Sequence, residues 1–80
     1  MYKIKNIDDY KLIIKLYNKN GIYCFNSKLY KNNILVDYEY TKGITDKIEQ
    51  AEKLFNILVD NNVFPCHLHN VIDELCMNVY

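Results

Sequence analysis

The sequence contains no arginine, no tryptophan, one proline and only two glycines in 80 residues. Arginine is the side chain best suited to bidentate phosphate binding, so its absence weakens the case for a phosphate-binding protein. Gly21 and Gly43 are far apart, which excludes a glycine-rich phosphate loop. Half of the residues are hydrophobic, and this fraction is enough for a core and argues against a disordered chain.

Long apolar runs and a cysteine framework are also missing. No apolar stretch approaches the ~20 residues of a membrane-spanning helix, and residues 1–11 lack the continuous apolar region of a signal peptide. The three cysteines are an odd number without a Cys-x-x-Cys pair, whereas small secreted domains usually carry an even, dense set. We therefore expect a cytoplasmic protein with reduced thiols.

The charges balance overall but are unevenly distributed. Residues 1–42 carry eight lysines against four acids, a net charge of +4, and residues 43–80 carry two lysines against six acids, a net charge of −4. A chain of this length predicts a single domain over 1–80. We expect residues 1–43 to form a basic β sheet and residues 44–80 an acidic helical hairpin.

Alternation and turn residues organise the first half. Leu12, Ile14 and Leu16 alternate with more polar neighbours, the period of a half-buried strand. Asn20-Gly21 is a strong hairpin signal, and Asn32-Asn33 indicates a second turn. Residues 1–9 are either a short edge strand or a loosely held arm. The strands are predicted near residues 10–17, 22–30 and 34–40.

Helical periodicity organises the second half. Thr45 or Asp46 is predicted to cap the first helix, and Asp60-Asn61-Asn62 to end it, because asparagine tolerates the left-handed conformation. Pro65 suits the first turn of a second helix. The first apolar stripe is Ile48, Ala51, Phe55, Leu58 and Val59, widened by Leu54. The second is Leu68, Val71, Ile72, Leu75 and Val79, with Cys76 beside it.

These patterns predict an α+β fold. A three- or four-stranded antiparallel meander is followed by an αα-hairpin that packs on one sheet face. We expect Ile34, Val36, Tyr38 and Tyr40 to share one face of the third strand, with Leu35, Asp37 and Glu39 on the other. The predicted core is Leu12, Ile14, Leu16, Val36, Tyr38, Ile48, Ala51, Phe55, Leu58, Leu68, Val71, Ile72 and Leu75.

Catalytic and metal-ligating residue types cluster only at Cys66-His67-Leu68-His69. A closed zinc site needs four ligands, and these three would diverge around a helix. His69 could serve Cys66 as a base, but nothing resembles an oxyanion hole. We therefore predict no enzyme, no metal and no cofactor. His67 and His69 are expected to be structural or exposed, with His69 paired to Asp73 one turn on.

The face of the sheet away from the helices is the candidate binding surface. We expect it to carry lysines and tyrosines, and exposed tyrosine is typical of interfaces. A protein partner is the first hypothesis, and a homodimer stays open. Nucleic-acid binding is the alternative, because lysine interleaved with aromatic rings suits phosphates and bases. The predicted binding residues are Tyr17, Tyr23, Tyr30, Lys15 and Lys28.

The C-terminal half resembles a family of small bacterial proteins of unknown function. The match covers about 35 residues, and the segments that carry it are Ile44-Thr45-Asp46 and the Pro-x-His-Leu-x-x-Val-Ile pattern that begins at Pro65. Phe64 departs from the small hydroxyl residue that the family favours before the proline. The resemblance implies a β-rich N-terminal part and a helical hairpin, and no activity. A phage-encoded inhibitor of a host defence complex is a further alternative, because such proteins are often small and rich in tyrosine.

Overall fold

Four strands in chain order form one antiparallel sheet, and helices follow them. The structure, a computed structural model, describes the backbone of residues 1–79 and the side chains of residues 1–75. The strands are β1 (Tyr2–Ile7), β2 (Tyr10–Lys19), β3 (Ile22–Lys31) and β4 (Ile34–Tyr40). The helices are α1 (Ile48–Asp60) and α2 (Leu68–Val79), the latter preceded by a 3₁₀ turn (Pro65–His67). The predicted α+β meander is confirmed. Residues 1–9, whose structure the sequence left open, contain its first strand.

Asparagine residues in the left-handed conformation make the two longer hairpins. Asn20 and Gly21 have φ angles of 54° and 86°, and Asn32 and Asn33 have φ angles of 52° and 65°. Positive φ at both central residues matches the right-handed twist of the flanking strands. Asn18 Oδ1 also accepts a hydrogen bond from the Gly21 N–H at 3.0 Å. Both turns lie where the sequence predicts them.

A further left-handed asparagine ends α1. Asn62 has a φ angle of 49°, its N–H donates to the Val59 carbonyl at 3.2 Å, and the Val63 N–H donates to the Leu58 carbonyl at 3.1 Å. These two bonds are the Schellman arrangement, which satisfies carbonyls left free at a helix end. The predicted end of the first helix is confirmed.

The start of α1 differs from the prediction. Lys47 occupies the cap position without a side-chain hydrogen bond to the helix, so neither Thr45 nor Asp46 is the N-cap. Thr45 Oγ1 instead accepts from the Lys47 N–H and donates to Gln50 Oε1. The reason is tertiary, because the Thr45 carbonyl accepts a hydrogen bond from the Tyr23 N–H at 2.7 Å and holds this segment against the sheet.

The core lies between one sheet face, called the covered face, and the helices. Leu12, Ile14 and Leu16 of β2 meet Phe25 and Leu29 of β3 there. α1 packs mainly on β2 and β3, and the 3₁₀ turn packs on β3 and β4. The helical layer and its connection contribute Ala51, Leu54, Phe55, Leu58, Val63, Leu68 and Ile72. Val71 and Leu75 are partly buried against this core, while the side chains of Cys76 and Val79 lie outside the described residues.

Three predicted core residues are exposed instead. Val36 is 51% exposed, Tyr38 is 44% exposed and Ile48 is 38% exposed. Ile48 is the first residue of α1, where the helix has only begun to approach the sheet. For β4 the reason is a bulge, which pairs Leu35 with Tyr30 but Asp37 with Leu29, so that one extra residue interrupts the alternation.

The bulge places the acids of β4 on the covered side. Asp37 lies opposite Leu29 and Glu39 lies opposite the buried Ser27. Tyr38 and Leu35 therefore share the other side, which contradicts the predicted grouping of Leu35 with the acids. No helix in the described part of the chain is long and apolar enough to cross a membrane.

Candidate functional site

The side of the sheet away from the helices, called the open face, is crossed by three rows of side chains. Directly paired residues of antiparallel strands point to the same side, so the strand register defines each row. The rows are Tyr2, Lys15, Asn26 and Tyr40; then Ile4, Ile13, Lys28 and Tyr38; then Asn6, Lys11, Tyr30 and Leu35. Each row contains one lysine and at least one tyrosine.

Five exposed apolar or aromatic side chains lie in these rows, namely Tyr2, Ile4, Leu35, Tyr38 and Tyr40. Tyr2 is 65% exposed and Tyr40 is 53% exposed, both in the first row. Ile4 and Leu35 are 44% and 48% exposed. Large patches of exposed apolar groups on a protein surface often mark binding sites.

A tyrosine and a buried cysteine form a cross-strand pair at one end of the open face. Tyr17 lies opposite Cys24, which is only 5% exposed although it points away from the core. The Cys24 thiol donates to the Ile22 carbonyl at 3.8 Å. Burial raises the pKa of the Tyr17 phenol, with further contributions from Cys24 and from the phenols of Tyr38 and Tyr40.

Aromatic rings and lysines contact each other along β4. The Tyr38 and Tyr40 rings have centroids 5.8 Å apart and are tilted by 35°. Lys28 Nζ lies 5.7 Å from the centroid of the Tyr38 ring, within the range of a cation–π contact. Packing of this kind reduces the number of conformations that the rings sample before a ligand arrives.

The row positions of the open face carry charge of one sign. None of them is an acid, and Asp37 and Glu39 of β4 lie on the covered side. Asp8 and Asp9, in the turn between β1 and β2, line a pocket beside the third row together with Lys11. The six acids of residues 43–80 are all exposed on or beside the helical layer. The open face is therefore basic although the chain is neutral, even though other lysines lie on the covered side.

Asn26 supplies an unsatisfied polar atom in the first row. Its Oδ1 is buried and has no hydrogen-bond partner within the part of the chain that the structure describes. A buried acceptor without a partner costs free energy, so this atom does not stabilise the fold.

Four of the five predicted binding residues lie on the open face. Tyr17, Tyr30, Lys15 and Lys28 are there, with Lys15 and Lys28 in adjacent rows. Tyr23 is on the covered side, because it pairs with Asn18 and packs partly buried against the core. The expectation that Tyr23 lies on the face away from the helices is therefore wrong, and a binding role for the other four residues stays a prediction.

The prediction misses Tyr2, Tyr38, Tyr40 and Lys11. Tyr38 and Tyr40 were expected on the same side as Val36, and only the bulge in β4 reveals their true neighbours. Tyr2 could have been found from the alternation of Tyr2, Ile4 and Asn6, had residues 1–9 been assigned to a strand. Lys11 follows the same alternation as Lys15, so the sequence did carry its signal.

The outer edge of β4 is capped by its own acids. Asp37 Oδ1 accepts from the Tyr38 N–H at 2.8 Å, and Glu39 Oε1 accepts from the Tyr40 N–H at 3.1 Å. These are N–H groups that an additional strand would need. The Tyr40 N–H, and next to it His69, lower the pKa of the Glu39 carboxyl.

The histidines lie on the other side of the molecule. His67 and His69 are exposed, in the 3₁₀ turn and at the start of α2. His69 Nε2 is 3.3 Å from Glu39 Oε1, so its acidic neighbour is Glu39 and not the predicted Asp73. Among the described residues no three His, Cys, Asp or Glu side chains come together in a way that could hold a metal ion.

A family model described as "Family of unknown function (DUF6514)" matches residues 3–78. The chain therefore belongs to this family, which confirms the expected membership of an uncharacterised family. No curated protein and no solved structure matches the chain. The bacterial origin and the Pro-x-His-Leu motif of the expected family stay predictions.

Proposed function

We propose that this member of the DUF6514 family is a small non-enzymatic binding protein that recognises a macromolecular partner through its open face. The carrying observation is the composition of the three rows, in which exposed tyrosines and aliphatic side chains alternate with lysines. Groups of this kind supply contact area at low cost in conformational entropy. A regulatory role follows from binding of this type, because occupying a partner's surface is sufficient to alter its activity.

Two classes of partner fit such a surface. A protein, the first hypothesis from the sequence, would use the exposed Ile4, Leu35 and Tyr40 as apolar contacts. An inhibitor of a host defence complex would use the same face. A nucleic acid would use the lysine that stands in each row beside an aromatic ring. We also place the protein in the reducing cytoplasm, where the free thiols of Cys24 and Cys66 would persist.

A charge-matched pair of variants tests the proposed face. Ile4→Glu with Tyr40→Glu adds two negative charges to the open face, and Asn56→Glu with Asn70→Glu adds two to exposed helix positions. Partners captured from the native cell extract are quantified for both variants, after thermal melting shows that both are folded. We expect the open-face variant to lose partners that the helix variant retains. Retention of the same partners by both variants would contradict the proposal.

A further inference from the structure

We propose that the open face binds single-stranded nucleic acid, with its tyrosines stacking on bases and its lysines contacting phosphates. This inference rests on the proposed function, because it names the partner of the same face. The zero net charge of the chain argues against nucleic-acid binding. The position of the acids weakens that objection: Asp37, Glu39 and the six acids of residues 43–80 lie away from a ligand on the sheet, and Asp8 and Asp9 lie beside the third row.

The rows supply the stacking platform. Successive rows are two residues apart along each strand, about 7 Å, so three rows extend over about 14 Å. Tyr40, Tyr38 and Tyr30 give one ring to each of the three rows, and Tyr2 gives a second ring to the first. A four-stranded sheet with this spacing of rings accommodates about two or three unstacked bases.

The lysines supply the contacts to phosphate. Lys15 and Lys11 lie on the central strand β2, and Lys28 lies on β3 between them in row order. Their positions form a basic track across the middle of the face, flanked by the rings of β1 and β4. Lysine acts as a point charge and needs no bidentate geometry, which suits a sequence without arginine.

The chemistry of the face favours nucleic acid over a protein. Lysine is depleted in protein interfaces, whereas a lysine repeated in every row matches a polyanion with regularly spaced charges. Duplex DNA is disfavoured because its bases are stacked and because four strands about 4.8 Å apart form a sheet about 14 Å wide, which exceeds the major groove of about 12 Å.

Fluorescence anisotropy with labelled oligo-dT and oligo-U of about 12 nucleotides tests the inference with the purified chain. We expect affinity to fall with salt at a slope of about −2 in the logarithms, as three phosphate contacts to a single strand predict. Lys11→Gln, Lys15→Gln and Lys28→Gln together should weaken binding about tenfold or more. The matched control is Lys42→Gln, Lys47→Gln and Lys53→Gln, which removes the same charge elsewhere and should change affinity less than about twofold.

The tyrosines provide a separate readout. Tyr2→Ala and Tyr40→Ala remove exposed rings and should each weaken binding about fivefold or more, whereas Tyr2→Phe and Tyr40→Phe keep the rings and should stay within about twofold. Their high exposure makes unfolding an improbable cause of the loss, and thermal melting checks this. Poly-glutamate serves as a polyanion without bases and should bind more weakly, with no dependence on the rings.

Each remaining outcome overturns the inference. Absence of binding, tighter binding to the duplex, or equal loss in the alanine and phenylalanine variants would exclude recognition by stacking. Suppose that oligonucleotides do not bind, yet Ile4→Glu with Tyr40→Glu still abolishes capture of a partner from nuclease-treated extract. The proposed function would then stand with a protein partner, and only the inference would fail. If the face variant alters neither measurement, both fail.

Discussion

The two faces of the sheet come from alternate residues of the same strands, and they differ sharply in burial and charge. Phe25 and Leu12 on the covered face are fully buried, whereas Tyr2 and Tyr40 on the open face are more than half exposed. The covered face contains the apolar core and the open face carries lysine in every row. This difference indicates that stability depends mainly on one face, which leaves the composition of the other free to serve binding.

The largest expected effect is a difference in stability between two variants, one that truncates a ring on the covered face and one that truncates a ring on the open face. Phe25→Ala should destabilise the fold by about 3–5 kcal/mol, because it opens a cavity in the centre of the core. Tyr38→Ala should cost about 1 kcal/mol or less, because the ring is 44% exposed. Urea denaturation of both variants measures the difference. Equal losses would show that the open face contributes to the core after all.

The next largest effect is the difference in stability between variants that truncate two neighbouring polar side chains. Ser27 is fully buried on the covered face, and its hydroxyl donates to the Val63 carbonyl at 3.2 Å. Ser27→Ala leaves that carbonyl without its partner and should cost about 1–3 kcal/mol. Asn26→Ala, on the open face, removes an oxygen that has no partner in the described structure and should change stability by about 0.5 kcal/mol or less. A larger loss for Asn26→Ala than for Ser27→Ala would contradict the assignment.

A smaller effect distinguishes the open face from the free edge of β4. Asp37→Ala with Glu39→Ala releases the N–H groups of Tyr38 and Tyr40 and removes two edge charges. We expect the variant to self-associate at lower concentration than the unchanged chain, because an uncapped apolar edge strand can pair with another copy. Sedimentation velocity measures this. Asp60→Ala with Asp73→Ala is the charge-matched control, and association of both variants alike would point to net charge instead.

The smallest expected effect is a pH dependence at the edge between the two faces. The pKa of Glu39 is lowered in the folded protein by the Tyr40 N–H and by His69. A lowered folded pKa contributes stability that is fully present above the unfolded value of about 4.3 and is lost as pH falls through the folded pKa. Glu39→Gln should therefore reduce the acid dependence of the melting temperature slightly. If the melting temperature of Glu39→Gln depended on acid pH as it does in the unchanged chain, Glu39 would not be the source of the pH dependence.

Local signals predicted much of the fold. The turns at Asn20-Gly21 and Asn32-Asn33 and the end of α1 at Asn62 depend on the backbone conformation of one or two residues, which the residue type itself favours. The alternation of β2 likewise predicted which of its residues are buried. The predicted N-cap of α1 is wrong, because a hydrogen bond from the Tyr23 N–H of β3 holds the Thr45 carbonyl.

The candidate site was predicted only in part. Lys15, Lys28, Tyr17 and Tyr30 lie on the open face as expected, since strand alternation places them there. Tyr23 is on the covered side, contrary to the expectation that it lies with the open-face tyrosines. Its side follows from the two-residue Asn20-Gly21 turn, which pairs Tyr23 with Asn18 on the side of Leu16, so the sequence did carry this signal.

The sequence by itself determined the order of elements, the turns between them and an overall balance of charge, since each depends on residue identity or on neighbours a few positions away. Only the tertiary structure decided that Tyr38 stands beside Lys28, that Tyr40 shares a row with Lys15, and that Asp37 and Glu39 lie on the covered side. The physical reason is the bulge in β4, whose single extra residue reverses which side chains face the helices. That reversal adds Tyr38 and Tyr40 to the face on which strand alternation already places Lys11, Lys15, Lys28 and Tyr30.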